Sequence, residues 1–165
     1  MIREAGPDDL LTLFDLEKAA STAAYGHTFP DSATFPDDEV LSRWVLVLED
    51  PAIQVLIDWD PGRPVGYAAF SRDWLHHFAL LPVCWGTGRA QRLHDAALRA
   101  MRAQGAAAAH LWVLVDNGRA RAFYSREGWV DTGEREPATL PPHPSRMRLT
   151  RTLSRDHPPA GSAAE

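Results

Sequence analysis

A glycine-rich turn near the middle of the chain separates an apolar, strand-like run from a helix-like run. The apolar run covers residues 78–82, and the turn reads Gly86-Thr87-Gly88-Arg89-Ala90. Small residues at positions 86, 88 and 90 let a ligand approach the backbone closely. The first N–H groups of a helix lack intrahelical partners, and the helix dipole favours negative charge beside them. The turn therefore suits a pyrophosphate, although an ordinary strand-to-helix turn has a similar composition.

A second segment further along the chain combines a strand, an asparagine and a short helix. Residues 111–115 are the strand-like run, and the residues that follow it are Asn117, Ala120, Phe123, Tyr124 and Gly128-Trp129. Together the two segments resemble the GCN5-related N-acetyltransferase (GNAT) family. In that family the acyl-CoA loop reads Gln/Arg-x-x-Gly-x-Gly/Ala, and the later signature is Asn, then Ala-x-x-Phe-Tyr, then Gly-Phe or Gly-Trp. The chain departs from the loop pattern at Trp85, where the family has Gln or Arg, and the resemblance is weaker over residues 1–60.

The strand-like and helix-like segments follow the order β-α-α-β-β-β-α-β-α-β-β. Hairpins mixed with a crossover predict an α/β or α+β layered fold with a mixed sheet. The family resemblance implies a mostly antiparallel sheet flanked by helices, in which two central parallel strands splay apart and hold acyl-CoA between them. Those strands correspond to residues 74–81 and 110–115. Residues 1–153 are expected to form one domain, and residues 154–165, rich in Pro, Gly, Ser and Ala, a disordered tail.

The composition argues against several classes of function. The 165 residues carry a formal net charge of −5, whereas non-specific binding to nucleic acid needs a basic surface. The acidic balance is compatible with a cationic amine substrate. Cys84 is the single cysteine, so the sequence allows no intrachain disulfide. No apolar stretch approaches the ~20 residues that cross a membrane, and the N-terminus lacks the apolar core of a signal peptide. A cytoplasmic protein without a membrane partner is expected, and family analogy alone suggests a homodimer.

Transfer of an acetyl group to an amine has three chemical needs. The amine must lose its proton, the thioester carbonyl needs a hydrogen-bond donor as it becomes an oxyanion, and the departing thiolate needs a proton. The resemblance implies that the backbone N–H of Leu80 faces the gap between the splayed strands and is the oxyanion donor. It also implies that Tyr124 donates to the thiolate, the alternative being that Tyr124 is only a core aromatic beside Phe123.

The general base is less evident. Some family members place a Glu on the strand before the glycine loop, and that position is Trp74 here, which cannot accept a proton. His76 lies two residues further on and should share the strand face of Trp74, while His77 should point to the other face. An imidazole titrates near neutrality, which makes His76 the first candidate and His77 the second. Both could instead be structural, with a water chain or a substrate-loop residue as the base. Tyr25, His27 and His77 are the candidates for the acceptor side.

Acetyl-CoA is the cosubstrate that the resemblance implies. Asn117 corresponds to the residue that contacts the pantetheine arm, and Asn is equally suited to cap the following helix. Arg89 and Gln91 lie on the first helical turn, where they could reach phosphate oxygens; a solvated charge is the alternative for Arg89. The expected cofactor site comprises Leu80, Gly86, Thr87, Gly88, Arg89, Ala90, Gln91, Asn117, Ala120, Phe123 and Tyr124. No metal is expected, because no group of His, Cys, Asp or Glu has convincing i, i+4 ligand spacing.

The principal hypothesis is an acyl-CoA-dependent N-acetyltransferase in which the amine attacks the thioester directly in a ternary complex. The acceptor is expected to be a small-molecule amine, with a peptide or protein amine as the other candidate. Residues 21–36 and 137–145 are expected to shape its pocket. The alternative hypothesis is a non-catalytic acyl-CoA-binding or sensing module, which the absent Glu and the presence of Trp85 favour and Tyr124 opposes.

Overall fold

The computed structural model describes residues 1–25 and 34–153. The expected tail at 154–165 lies outside the described residues, as do residues 26–33. Within them the chain forms seven strands and four α-helices in the predicted order. The strands are β1 (Ile2–Glu4), β2 (Gln54–Asp60), β3 (Arg63–Phe70), β4 (Trp74–Leu80), β5 (Ala108–Leu114), β6 (Val130–Pro137) and β7 (Ser145–Thr152). The helices are α1 (Leu10–Tyr25), α2 (Asp37–Glu49), α3 (Arg89–Ala103) and α4 (Gly118–Arg126).

The described strands form one sheet in the order β1-β2-β3-β4-β5-β7-β6. β4 and β5 run parallel, and the other neighbouring strands run antiparallel. A tight turn joins β2 to β3, and Gly62 in that turn adopts a φ of +85°, which residues other than glycine rarely adopt. The predicted fold class is thus confirmed: a mixed, mostly antiparallel sheet with one central parallel pair, flanked by helices.

The parallel pair is joined only at its start. β4 and β5 pair at Trp74 with His110 and at Leu75 with Leu111. Both strands continue for several residues beyond this point, but they no longer pair with each other. The two strands therefore diverge, as the resemblance implied, and a gap opens in the sheet toward their carboxyl ends.

Two helix layers cover the sheet. α1 and α2 lie on one face, where Val40, Trp44 and Val47 of α2 are buried at the three- and four-residue spacing of an amphipathic helix. They pack with Leu13 and Leu16 of α1 against alternate residues of β2 and β3. α3 and α4 lie on the other face, where the buried residues include Leu93, Ala97 and Met101 of α3 and Tyr124 of α4. The sheet thus separates two distinct core clusters, one on each of its faces.

None of the helices in the described part of the chain has both the length and the apolar character that a bilayer span requires.

Candidate active site

The edge of β4 that faces the gap carries the main-chain polar groups of Leu80. On the opposite edge, Leu81 N–H donates to the Val65 carbonyl of β3 at 2.8 Å. Successive residues of a strand direct their N–H and C=O groups to opposite edges, so the N–H and C=O of Leu80 point into the gap. Pairing with β5 stops at Leu75, and the ladder of described strands therefore gives the Leu80 N–H no partner. A main-chain donor in such a position can stabilise an oxyanion.

The glycine-rich turn leaves the start of α3 open. Gly86 and Gly88 adopt φ angles of +75° and +78°, and Gly88 is the residue immediately before the helix. No side chain of the described residues caps that start, and the Thr87 hydroxyl instead donates to the Cys84 carbonyl at 2.7 Å. A Cβ on Gly86 would meet no atom within 4 Å. The N–H groups of the first helical turn thus face an open surface, which fits a phosphate group.

The Arg89 side chain, which was predicted to reach phosphate oxygens, instead forms ion pairs with β2 in this structure. Its guanidinium donates to Asp58 Oδ2 at 2.9 Å and also forms an ion pair with Asp60, and both carboxylates belong to β2. The Asp58 contact raises the pKa of Arg89. Because Asp58 is buried, the ion pair anchors the first turn of α3 to the sheet. The backbone N–H of Arg89, in the first turn of α3, faces the open surface of the turn.

Arg92, which the sequence reading missed, supplies a cation beside the turn. Its Nη1 lies 3.7 Å from the place where a Cβ on Gly88 would stand. Arg92 comes four residues after Gly88, and residues at that spacing share one side of a helix. The four-residue spacing from Gly88 is the sequence feature from which the position of Arg92 could have been predicted. Gln91, on the same first turn, is exposed, whereas Ala90 packs against the α3 side of the core.

Trp85 lies across the mouth of the gap. Its indole Nε1–H donates to the Leu80 carbonyl at 3.2 Å, and Arg119 Cζ lies 3.8 Å from the centroid of its ring. Leu80 ends β4, whereas Arg119 is in the first turn of α4, which follows β5. The Trp85 side chain therefore connects the two sides of the gap.

Asn117 caps the start of α4, as its alternative role predicted. Its Oδ1 accepts a hydrogen bond from Ala120 N–H at 3.1 Å. An amide oxygen has two lone pairs, and the amide nitrogen has two hydrogens. A role toward the pantetheine arm is compatible with this cap.

The aromatic pair of α4 packs against β4 just before Leu80. Phe123 stacks on Phe78, with ring centroids 5.8 Å apart and an interplanar angle of 15°. Tyr124 is buried, and its ring centroid lies 6.4 Å from that of Phe78 and 5.8 Å from that of Trp129. Both residues thus lie on the α3 side of the sheet, next to the strand that carries the proposed oxyanion donor.

The predicted face of His77 is wrong because β4 contains a β-bulge. The β3 partners of Leu75 and His77 are adjacent residues, so His76 is an extra residue without a partner. The bulge breaks the two-residue alternation on which the prediction depended. Leu75 and His77 consequently lie on opposite faces, and His77 shares the face of Trp74.

His76 is exposed at the bulge, and its Nε2 lies 2.9 Å from Ser71 Oγ. The surrounding protein nevertheless partly desolvates the ring, which lowers the pKa of His76 below the usual histidine value, while the carboxylates of Asp50 and Asp73 oppose the shift. A strand rises about 3.3 Å per residue, so the four residues from His76 to Leu80 span about 13 Å. Proton transfer between His76 and an amine near Leu80 would therefore have to pass through water.

His77 is a packing residue rather than a base. Its ring lies 5.5 Å from that of Trp44 in α2. Burial, together with the nearby charge of Arg43, lowers the pKa of His77 to about 3. The ring therefore stays neutral and weakly basic at physiological pH, and it packs against α2.

A buried histidine that the sequence did not single out lies among the aromatic residues. His94 of α3 is fully buried, and its Nε2 accepts a hydrogen bond from Trp129 Nε1–H at 2.9 Å. Burial lowers the pKa of His94 to about 4; the charge of Arg151 acts in the same direction, and Asp95 opposes it. The neutral ring then carries its proton on Nδ1, which has no hydrogen-bond partner among the described residues.

His94, Asp95 and Glu127 place their potential metal-ligand atoms within 4.8 Å of one another. A metal ion would need the lone pair of His94 Nδ1. The hydrogen bond from Trp129 already uses the lone pair of Nε2, and an imidazole with both lone pairs engaged would have to lose its remaining proton. The chemistry of this cluster therefore argues against a metal ion at this place.

The acceptor side of the gap is described in part. Tyr25 is the last residue of α1, and His27 lies outside the described residues. The loop between β6 and β7 places Leu140 against the α1–α2 core cluster. On the same face, Arg146 Cζ lies 5.1 Å from the centroid of the Trp112 ring of β5. The loop thus spans the gap on the face opposite α3.

Solved structures share this arrangement. A GCN5-related N-acetyltransferase from Rhodopseudomonas palustris is 19% identical, with a TM-score of 0.77 over 93% of this chain and 95% of that one. The ribosomal-protein-S18-alanine N-acetyltransferase of Escherichia coli is 16% identical, with a TM-score of 0.71 over 100% and 98%. The PaiA N-acetyltransferase of Thermoplasma acidophilum, in complex with coenzyme A, is 15% identical, with a TM-score of 0.69 over 92% and 98%. No curated protein sequence matches this chain significantly.

The splayed parallel pair and the glycine turn at the start of α3 define an acetyltransferase-type fold. A sequence model of the acetyltransferase (GNAT) family matches residues 11–129, which is more than half of the chain. The chain belongs to that family.

Proposed function

We propose that this protein is an N-acetyltransferase that moves an acetyl group from acetyl-CoA to a primary amine. The observation that carries the proposal is the edge of β4, where the Leu80 N–H points into the gap. The uncapped start of α3 at the same end of the sheet adds donors for a pyrophosphate. Membership of the GNAT family supports acyl transfer, and the relative from T. acidophilum is bound to coenzyme A.

The proposed chemistry is direct attack in a ternary complex. The amine nitrogen forms a bond to the thioester carbon, the C–S bond breaks, and its electron pair leaves on sulfur. The Leu80 N–H donates to the carbonyl oxygen as that oxygen gains negative charge. The Tyr124 hydroxyl donates to the departing sulfur, and the proton lost by the amine passes through water to His76. Asn117 contributes to the binding of the pantetheine arm.

We propose a small-molecule amine as the acceptor. The loop between β6 and β7 narrows the open face of the gap, because Leu140 reaches the α1–α2 cluster. A narrowed face favours a small acceptor over a folded protein surface. The E. coli relative acts, by its name, on an alanine of ribosomal protein S18, and a peptide amine is therefore the second candidate.

A second candidate function is an acyl-CoA sensor without turnover. Trp74 stands where some relatives carry a catalytic Glu, and the lowered pKa of His76 makes that residue a weaker base. A protein of this kind would bind acyl-CoA through the same main-chain groups. The buried Tyr124 beside β4 opposes this function, since a sensor has no need of a donor to a thiolate.

The deciding experiment follows release of free CoA with a thiol reagent. Purified protein and acetyl-CoA are tested against amines, amino acids, aminoglycosides and short peptides, and calorimetry measures binding of acetyl-CoA in parallel. Amine-dependent release supports the transferase and identifies the acceptor class. Tight binding without release for any acceptor favours the sensor. Absence of binding overturns both functions.

A further inference from the structure

The Leu80 carbonyl, which faces the gap beside the proposed oxyanion donor, is already occupied by a side chain of the protein. Trp85 Nε1–H donates to it at 3.2 Å. The two main-chain groups of Leu80 form the open end of the β4 edge, because β5 has diverged. An extended ligand with amide groups binds such an edge as an added strand would. The indole of Trp85 therefore lies where a chain of this kind would have to lie.

The other side of the gap holds Trp85 in this position. Arg119 Cζ lies 3.8 Å from the centroid of the indole ring, close enough for a cation–π contact. Arg119 is exposed and belongs to α4, whose start is fixed by the Asn117 cap. The contact thus joins the loop after β4 to the helix after β5, across the opening between them.

We propose that Trp85 and Arg119 form a latch that keeps the gap closed in competition with acyl-CoA. The latch opens when the amide arm of the cosubstrate replaces the indole N–H at the Leu80 carbonyl. This inference rests on the proposed function, because it takes acyl-CoA as the ligand of the gap. It also assigns a role to Trp85, the residue at which the glycine loop departs from the family pattern.

The expected energetics follow from competition. When only a fraction of the protein has the open conformation that can bind CoA, the apparent affinity for CoA is reduced by that fraction. Removing one internal hydrogen bond that favours the closed form should therefore tighten binding of CoA by about 2- to 10-fold. A residue that instead contacts the bound ligand would weaken binding when it is removed. The sign of the change thus separates a latch from a binding residue.

The experiment measures CoA binding by calorimetry and its association rate by stopped flow, with coenzyme A as the probe. Trp85→Phe keeps an aromatic ring for Arg119 and removes the N–H donor. Arg119→Gln removes the cation from the other side of the gap. Arg126→Gln is the matched control, since Arg126 is an exposed arginine in the last turn of the same helix. Thermal melts establish that each variant is folded.

The expected result is tighter and faster binding for Trp85→Phe and Arg119→Gln relative to the Arg126→Gln control. The variant that carries both Trp85→Phe and Arg119→Gln should bind CoA about as tightly as either single variant, because both substitutions open the same latch. In the wild type, the Trp85 indole N–H resonance, assigned by its loss in Trp85→Phe, should shift when CoA is added. Weaker or unchanged binding for Trp85→Phe would overturn the latch while leaving the proposed function standing. Failure of the wild type and of every variant to bind CoA would overturn the proposed function itself, and the latch with it.

Discussion

A Cβ added to Gly66 would stand 2.7 Å from Cγ of Leu80. The two residues lie directly opposite each other in the β3–β4 ladder. The same Cβ would also lie 3.0 Å from the carbonyl oxygen of Ala79, so the crowding involves the backbone of β4 as well as a side chain. The absence of a side chain on β3 thus lets β4 hold the Leu80 N–H in its present position.

We expect Gly66→Ala to reduce acetyl transfer by displacing Leu80. Overpacking of this kind costs about 1–3 kcal/mol of stability, and a shift of a catalytic donor by about 1 Å can cost on the order of 100-fold in rate. The measurements are kcat/KM and the free energy of unfolding. Gly6→Ala is the control, because a Cβ on Gly6 would meet no atom within 4 Å. Full activity in Gly66→Ala would contradict the assignment of Leu80.

Tyr124→Phe should lower turnover far more than affinity for acetyl-CoA. The substitution keeps the ring among Phe78, Phe123 and Trp129 and removes only the hydroxyl that we assign to the departing sulfur. Loss of a general acid typically costs about 100- to 10,000-fold in rate. The comparison is between kcat and the Kd of acetyl-CoA from calorimetry. If kcat is unchanged, Tyr124 is only a core aromatic.

Gly88→Glu should weaken CoA binding by at least about 10-fold, because it places a carboxylate beside the proposed phosphate site and removes the glycine from a left-handed position. The matched control is Gly105→Glu, at the other end of α3. Gly105 has a φ of +85°, and a Cβ there would meet no atom within 4 Å. Both variants carry a similar backbone strain, so a larger loss of affinity in Gly88→Glu isolates the effect on the phosphates. Equal affinities would argue against the pyrophosphate assignment.

The pH dependence of kcat/KM tests His76. A base must be neutral to accept a proton, and desolvation lowers the pKa of His76. Activity should therefore rise with pH through an inflection below the usual histidine value of about 6.5 and then level off. His76→Gln should abolish that acidic limb. Persistence of the same inflection in the variant would assign it to another group, and the amine would then lose its proton without His76.

The gap between β4 and β5 could be predicted from the two signature segments, because each segment depends on residues close together in the sequence and their order indicates the topology. The strand–turn–helix at 86–90 and the Asn117 cap depend on neighbouring residues, and both appear in the structure. The roles of Arg89 and His76 depended on distant or irregular features. Arg89 forms ion pairs with two carboxylates of β2, which lie some thirty positions earlier in the sequence. The bulge at His76 arises from the pairing of β4 with β3. Alternation within one strand cannot reveal either feature.

His94 makes stability depend on pH in a way that does not involve the active-site chemistry. Its pKa is about 4 in the folded protein, against about 6.5 for an unfolded histidine. Between these values only the unfolded chain binds the proton, so stability is lost as the pH falls from 6.5 toward 4, by about 2 kcal/mol at pH 5. His94→Gln, which keeps an oxygen acceptor for Trp129 Nε1–H, should show a smaller loss between pH 7 and pH 5 in urea unfolding. His143→Gln, a change at an exposed histidine, should retain the wild-type slope. If His94→Gln also retains that slope, the buried ring is not the group that titrates.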